Sequence, residues 1–200
     1  MRCGWMIACA AATVLACAQQ TQEDAPAASE AATAEEGSAA WKIENAMSAA
    51  PPEIAEDAAV MDWPSAEGAE MLELRAGTNG WTCMPDVPAT PGADPMCLDE
   101  VFLSWAAAWQ SRATPDVDRV GTGYMLRGGY DASNTDPFAT EPGPGNEWIQ
   151  TGPHVMMVVP DVAALEGMTD DPANGGPWVM WRGTPYAHIM MPVPGDGGSQ

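Results

Sequence analysis

The only two histidines of the chain begin two copies of one pattern, His154-Val155-Met156-Met157-Val158-Val159-Pro160 and His188-Ile189-Met190-Met191-Pro192-Val193-Pro194. Between them, Gly176-Pro177-Trp178-Val179-Met180-Trp181 echoes Gly152-Pro153-His154-Val155-Met156-Met157 with tryptophan in the place of histidine. Alternate residues of a strand share a face, so His154 lies with Met156 and His188 with Met190. An imidazole and a thioether on one face form a donor set for copper, because soft thioethers select Cu(I) and imidazole suits the metal generally. Packing explains the same residues: methionine fills core gaps, and a histidine at a strand start can be an ordinary hydrogen-bonded polar group. Strand order separates the two readings. With the Trp178 strand in the middle of a meander, the histidine strands stand about 9.6 Å apart, whereas two nitrogens on one ion stand within about 4 Å. A shared site therefore requires the two histidine strands to be neighbours.

Other donor groups are less specific. Asp131, Asn134 and Asp136 supply oxygens in a long polar segment and are candidates for a calcium loop. They lack the ordered ligand series and the turn glycine of an EF-hand, and Asx-turn chemistry accounts for them equally well. The segment 170–175 has the same character. Ser104, Ser111 and Ser133 lie in or near the fold, but none sits in a G-x-S-x-G elbow. The chain also lacks a phosphate-cradling loop with lysine, an H-E-x-x-H helix and a dinucleotide fingerprint. A hydrolase is left only as a site whose residues converge in space.

Charge narrows the partners. Seven basic residues against 28 acidic ones give a net charge of −21, and Lys42 is the single lysine. Such a field repels phosphate backbones and anionic lipid surfaces, which argues against nucleic-acid binding and leaves solubility as the plain reason for the acidity. Residues 1–17 combine Arg2 with an apolar run too short to span a bilayer. The run ends Val14-Leu15-Ala16-Cys17, which resembles the lipobox of bacterial lipoproteins. That resemblance implies a signal over residues 1–16, lipidation of Cys17 and, since Ala18 follows, an outer-membrane anchor; an ordinary secretory signal has the same shape. Cys3 and Cys9 lie in the leader, so a lipidated Cys17 leaves Cys83 and Cys97. In an oxidising compartment these form a disulfide, closing a loop of about 15 residues that contributes on the order of 3 kcal/mol. A redox or metal-binding thiol pair is the alternative, and the C-x-x-C spacing it favours is missing.

The elements that must position these groups follow in order. Residues 17–40 hold no large apolar side chain and read as a disordered tether. Ile43, Ala46, Met47 and Ala50 share a helical face that Pro51-Pro52 ends, and a second short helix is expected over 53–60. A strand over 70–76 and another over 81–84 flank Asn79-Gly80, a hairpin signal. Asp94 as N-cap and Pro95 at the first position predict the main helix over 96–112, with Leu98, Val101, Phe102, Trp105 and Trp109 on its apolar stripe. Val120, Thr122, Tyr124 and Leu126 alternate through an expected strand that ends at Gly128-Gly129. The repeat strands follow, with a helical stretch over 162–168, a hairpin at Gly183-Thr184 and a disordered tail over 195–200. Trp148, Trp178 and Trp181 could form an exposed platform that stacks on sugars or grips a partner.

Met61-Asp62-Trp63-Pro64, the 77–83 segment Gly-Thr-Asn-Gly-Trp-Thr-Cys, Met96-Cys97-Leu98-Asp99, the 133–138 segment and the 176–181 segment together resemble a family of uncharacterised exported bacterial proteins, over roughly residues 41–194. The resemblance implies a location and no activity. The expectation from the sequence is one α+β domain over 41–194, a mainly antiparallel sheet of about five or six strands packed by one main helix. Its expected role is non-enzymatic binding of an envelope ligand or protein partner, with periplasmic copper binding and hydrolysis as alternatives, and its only membrane contact is the lipid anchor.

Overall fold

A computed structural model describes residues 34–66, 68–144 and 148–194. The expected signal, the lipidated Cys17, most of the tether and the 195–200 tail lie outside the described residues. Eight strands form one sheet in the order β2-β1-β3-β4-β5-β8-β10-β9. They are β1 (Ala59–Asp62), β2 (Leu72–Arg75), β3 (Thr82–Met84), β4 (Met96–Leu98), β5 (Gly121–Met125), β8 (His154–Val158), β9 (Trp178–Met180) and β10 (His188–Pro192). Two further short strands, β6 (Gly129–Asp131) and β7 (Ile149–Thr151), pair apart from it. The α+β class holds. The sheet is larger than expected and mixed, because β1 and β3 run parallel while the other pairs are antiparallel.

Among the described residues three helices flank the sheet. Helix α1 (Ala39–Met47) starts on Ser38, whose hydroxyl accepts from the Trp41 N–H at 3.2 Å, and α2 (Pro52–Ala55) follows the proline pair. Both cover one face of the β1–β3–β4 half through small residues, with Ala46, Ala49, Ala55 and Ala58 packed on Val60 and Cys83. Helix α3 (Glu100–Gln110) lies on the opposite face. There Val101, Phe102 and Trp105 meet Leu98, Met156, Val158 and Met190 in the largest apolar cluster. A 3-10 turn, Val162–Leu165, closes the α1 side at the far edge through Leu165, Val179 and Ala187.

Several expectations are corrected. The main helix begins at residue 100 rather than 96: Met96–Leu98 is a strand bonded to both β3 and β5, and Asp99 is the N-cap. The Asp99 carboxylate accepts from the Phe102 N–H at 2.8 Å and from the Thr122 N–H at 2.7 Å, tying helix start to sheet. Asp94 instead braces its own loop by accepting from the Val87 N–H at 2.8 Å. The second helix stops at Ala55, and Ala59–Asp62 is a strand. Asn79-Gly80 does turn the chain, with Gly80 at φ +79°, but β1 inserts between β2 and β3, so no hairpin forms. The strand expected around Thr122 and Tyr124 is present as β5, where the buried residues are Gly121, Gly123 and Met125. Tyr124 packs against Trp81 and the α1 side, while the two glycines face α3. The hairpin of the last two strands is present, with Ile189 opposite Val179.

The disulfide is present as well. Cys83 and Cys97 oppose each other across β3 and β4 with Cα atoms 3.9 Å apart, so the bond crosses two strands rather than joining strand to helix.

Candidate functional site

A cavity of about 310 Å³ opens between α3, the inner face of β4–β5–β8–β10–β9 and two loops, 85–95 and 131–140. Its floor is the methionine side of the repeat strands: Met156 and Met190 oppose each other in register, with Met125 and Met180 on flanking strands. One wall comes from α3, where Trp105 and Trp109 lie one helical turn apart. Trp181 packs against both, its ring centre 6.1 Å from Trp105 and 5.1 Å from Trp109. The indole N–H of Trp109 donates to the Pro137 carbonyl at 2.8 Å, and that of Trp181 to the Ser133 carbonyl at 2.9 Å. The aromatic wall thereby fixes the second loop, which Arg112 also holds by stacking 4.2 Å from the Phe138 ring centre.

Titratable groups line the cavity from different elements, among them Asp94 from the first loop, Asp131 from the end of β6, and His188 from the start of β10. Burial pushes the Asp131 carboxyl up to about 7, helped by the nearby Asp94. Asp131 is half-buried and lines the cavity. Asp94 is 2% exposed beneath its own loop; burial raises its pKa, against the Val87 and Thr90 hydrogen bonds that lower it. Asp136 also lines the cavity, and its carboxylate accepts from the Phe138 N–H at 2.9 Å.

The histidines are separated by their roles. His188 is 3% exposed, its Nδ1 lies 3.0 Å from the Tyr186 carbonyl, and its ring meets Trp105 and Trp181 edge-on at about 5 Å. Burial holds it down to about 4, so it is a neutral imidazole. His154 is 1% exposed with Nδ1 2.8 Å from the Gly152 carbonyl. A carbonyl accepts, so Nδ1 carries the proton, and Nε2 is left buried with a lone pair and no partner. Burial lowers its pKa too.

The strand order meets the first condition for a shared metal, since β8 and β10 are neighbours. The register works against it. His154 opposes Pro192 and Met190 opposes Met156, which places His188 four residues along the sheet from His154, about 13 Å at the usual rise. The structure brings together Met156, Met190 and His188 around the cavity, and sets His154 beyond it beside Met125. Among the described residues no three His, Cys, Asp or Glu side chains gather as a metal-sized group. Of the calcium-loop candidates, Asp131 and Asp136 face the cavity, while the Asn134 side chain turns away to donate to the Asp170 carbonyl at 2.7 Å. Of the tryptophan trio, Trp178 and Trp181 are buried and Trp148 is half-buried on the cavity wall, so there is no exposed platform.

Sequence reasoning missed Asp94 and Tyr130 as site residues. A proline-rich loop gives no periodic signal, and only the Asp94 N-cap role, misassigned by five positions, had marked that residue. No family model, no curated protein and no solved structure matches the chain.

Proposed function

We propose that this chain is an exported, lipid-anchored binding protein that holds a small molecule in the α3 cavity, without catalysing a reaction. One observation carries the reading: a mostly apolar cavity of about 310 Å³ into which a few titratable groups converge from separate elements. That size is at the lower end for ligand sites, which pair apolar walls with a small number of placed polar groups. The lipobox-like leader and the disulfide support an oxidising, extracytoplasmic location. The intrinsic fluorescence of Trp105, Trp109, Trp148 and Trp181 reports occupancy directly. Titrating the full chain with a panel of small neutral, anionic and cationic solutes should change the emission for one class and leave it unchanged for the others. In Ala106→Phe, which fills the cavity from α3, the response should vanish. A panel that leaves the emission untouched, or a response that survives the filling, removes the reading.

Copper binding is a second reading, favoured by the buried, unpartnered Nε2 of His154. Metal-ligating histidines commonly donate the other ring nitrogen to a backbone carbonyl, as His154 does to Gly152. Met125 opposes it across β5, and Met156 lies on its own face, so the set is one imidazole with thioethers, suited to Cu(I). Competition for Cu(I) against a chromophoric chelator tests it: His154→Ala should abolish binding while His188→Ala leaves it intact. Equal binding by both variants rules the site out.

A further inference from the structure

Taking the cavity as a ligand site, we propose that its ligand is a small organic ammonium ion, quaternary or tertiary, held between the aromatic wall and the Asp131 carboxylate. The inventory of groups decides the class. Among the described residues no lysine or arginine lines the cavity, and the Trp109 and Trp181 indole donors are spent on loop carbonyls, so an anion would meet no positive charge there. A sugar presents many hydroxyls, and apolar walls would leave most of them unpaired at a cost of about 1–3 kcal/mol each. A tetraalkylammonium head needs no hydrogen bonds. It needs apolar contact, aromatic surface and an opposite charge, and Trp105, Trp109, Trp181 and Tyr130 line the cavity together with Asp131 and Asp94. The net charge of −21 adds an attractive field for any cation approaching the mouth.

The proton inventory gives the proposal a signature that a purely apolar pocket lacks. Asp131 is half-buried on the cavity lining, and desolvation with the nearby Asp94 charge sets its pKa near 7. A cation beside it favours the charged carboxylate, so binding expels a proton and tightens as pH rises through 7.

The test uses choline against 3,3-dimethyl-1-butanol, which has the same shape with carbon in place of the charged nitrogen, on the full chain at matched ionic strength. Choline should shift the tryptophan emission and bind at least tenfold more tightly than the neutral isostere. Its affinity should rise about tenfold between pH 6 and pH 8. Asp131→Asn should lose that pH dependence and most of the choline affinity while keeping the isostere's, and its thermal midpoint reports separately that it folds. Equal binding of choline and isostere, or a choline affinity unchanged in Asp131→Asn, overturns the ammonium assignment. A response to a neutral sugar alone also overturns it but leaves the cavity as a ligand site. A choline response that persists in Ala106→Phe overturns both.

Discussion

Asp131 combines a half-buried place on the cavity lining with a proton held near neutral pH, which has a consequence for stability apart from any ligand. Its pKa in the folded chain is about 7, above the ordinary carboxylate value of 3.8, so the folded state holds a proton that the unfolded state releases. Between about pH 4 and pH 7 the folded chain binds more protons, so this group's contribution falls as pH rises, and the cost is complete above 7. Asn, which is neutral throughout, avoids it. Asp131→Asn should match the parent near pH 4 and exceed it at pH 8 by up to a few kcal/mol in urea denaturation. Parallel pH profiles for the two proteins would show that Asp131 is not desolvated as described. His188 acts in the opposite direction: its pKa is depressed to about 4, so its contribution is whole above 6.5 and is lost as pH falls toward 4. At this scale the sequence showed the histidines, the methionines and Asp131, because types and spacings are printed in it. It did not show that Asp94 and Asp131, 37 positions apart in number, face one cavity, because that depends on how two irregular loops close over the sheet.

Helix α3 can lie close to the sheet only because β5 presents glycine to it. A Cβ on Gly121 would stand 2.8 Å from the Phe102 backbone nitrogen and 2.8 Å from the Val158 side chain, and one on Gly123 2.7 Å from Leu98. Gly121→Ala should therefore push α3 outward and cost about 1–3 kcal/mol in denaturant unfolding, with cavity-binding signals weakened because Trp105 moves with the helix. A cost under 0.5 kcal/mol would mean that the helix has slack. These glycines hide the buried face of β5 from the sequence: Val120, Thr122, Tyr124 and Leu126 show the alternation, and glycine carries no hydrophobic signal although it marks the buried face. The helix start was misread for a similar reason. Asp94-Pro95 and Asp99-Glu100 both resemble helix starts, and the choice fell to tertiary bonding, since Cys97 pairs with Cys83 on one side and Tyr124 on the other. The long apolar repeats and their final hairpin were legible because a buried run needs no partner to reveal itself. That β1 would slip between β2 and β3 depends on a parallel pairing that no local turn encodes. The Cys83–Cys97 bond fixes that region, where strands are three or four residues long. Cys83→Ala with Cys97→Ala should lower stability by about 3 kcal/mol. The loss should appear first as faster hydrogen exchange in β1 to β4, with β8 to β10 less affected.

For the whole molecule, charge is the dominant unbalanced quantity. Seven basic residues face 28 acidic ones, and three of the described basic residues are engaged in ion pairs: Lys42 with Asp62 at 2.6 Å, Arg182 with Asp170 at 3.3 Å, and Arg119 with Asp118 at 3.3 Å and Glu100 at 3.9 Å. The Arg119 pairs are well exposed, so they add little. The rest of the acidic charge meets itself across the surface, and compaction brings it closer together, which opposes folding. Salt shortens the reach of that repulsion to about 10 Å at 0.1 M, and protonating surface carboxylates removes it at source. The thermal midpoint at pH 7.5 should therefore climb as sodium chloride is raised from 20 mM to 500 mM, and the climb should shrink at pH 4.5. A midpoint that falls with salt would mean that the few ion pairs outweigh the excess carboxylates. Sodium sulfate at equal ionic strength controls for the general strengthening of apolar burial by excluded ions: a charge effect follows ionic strength, whereas an exclusion effect favours sulfate at both pH values.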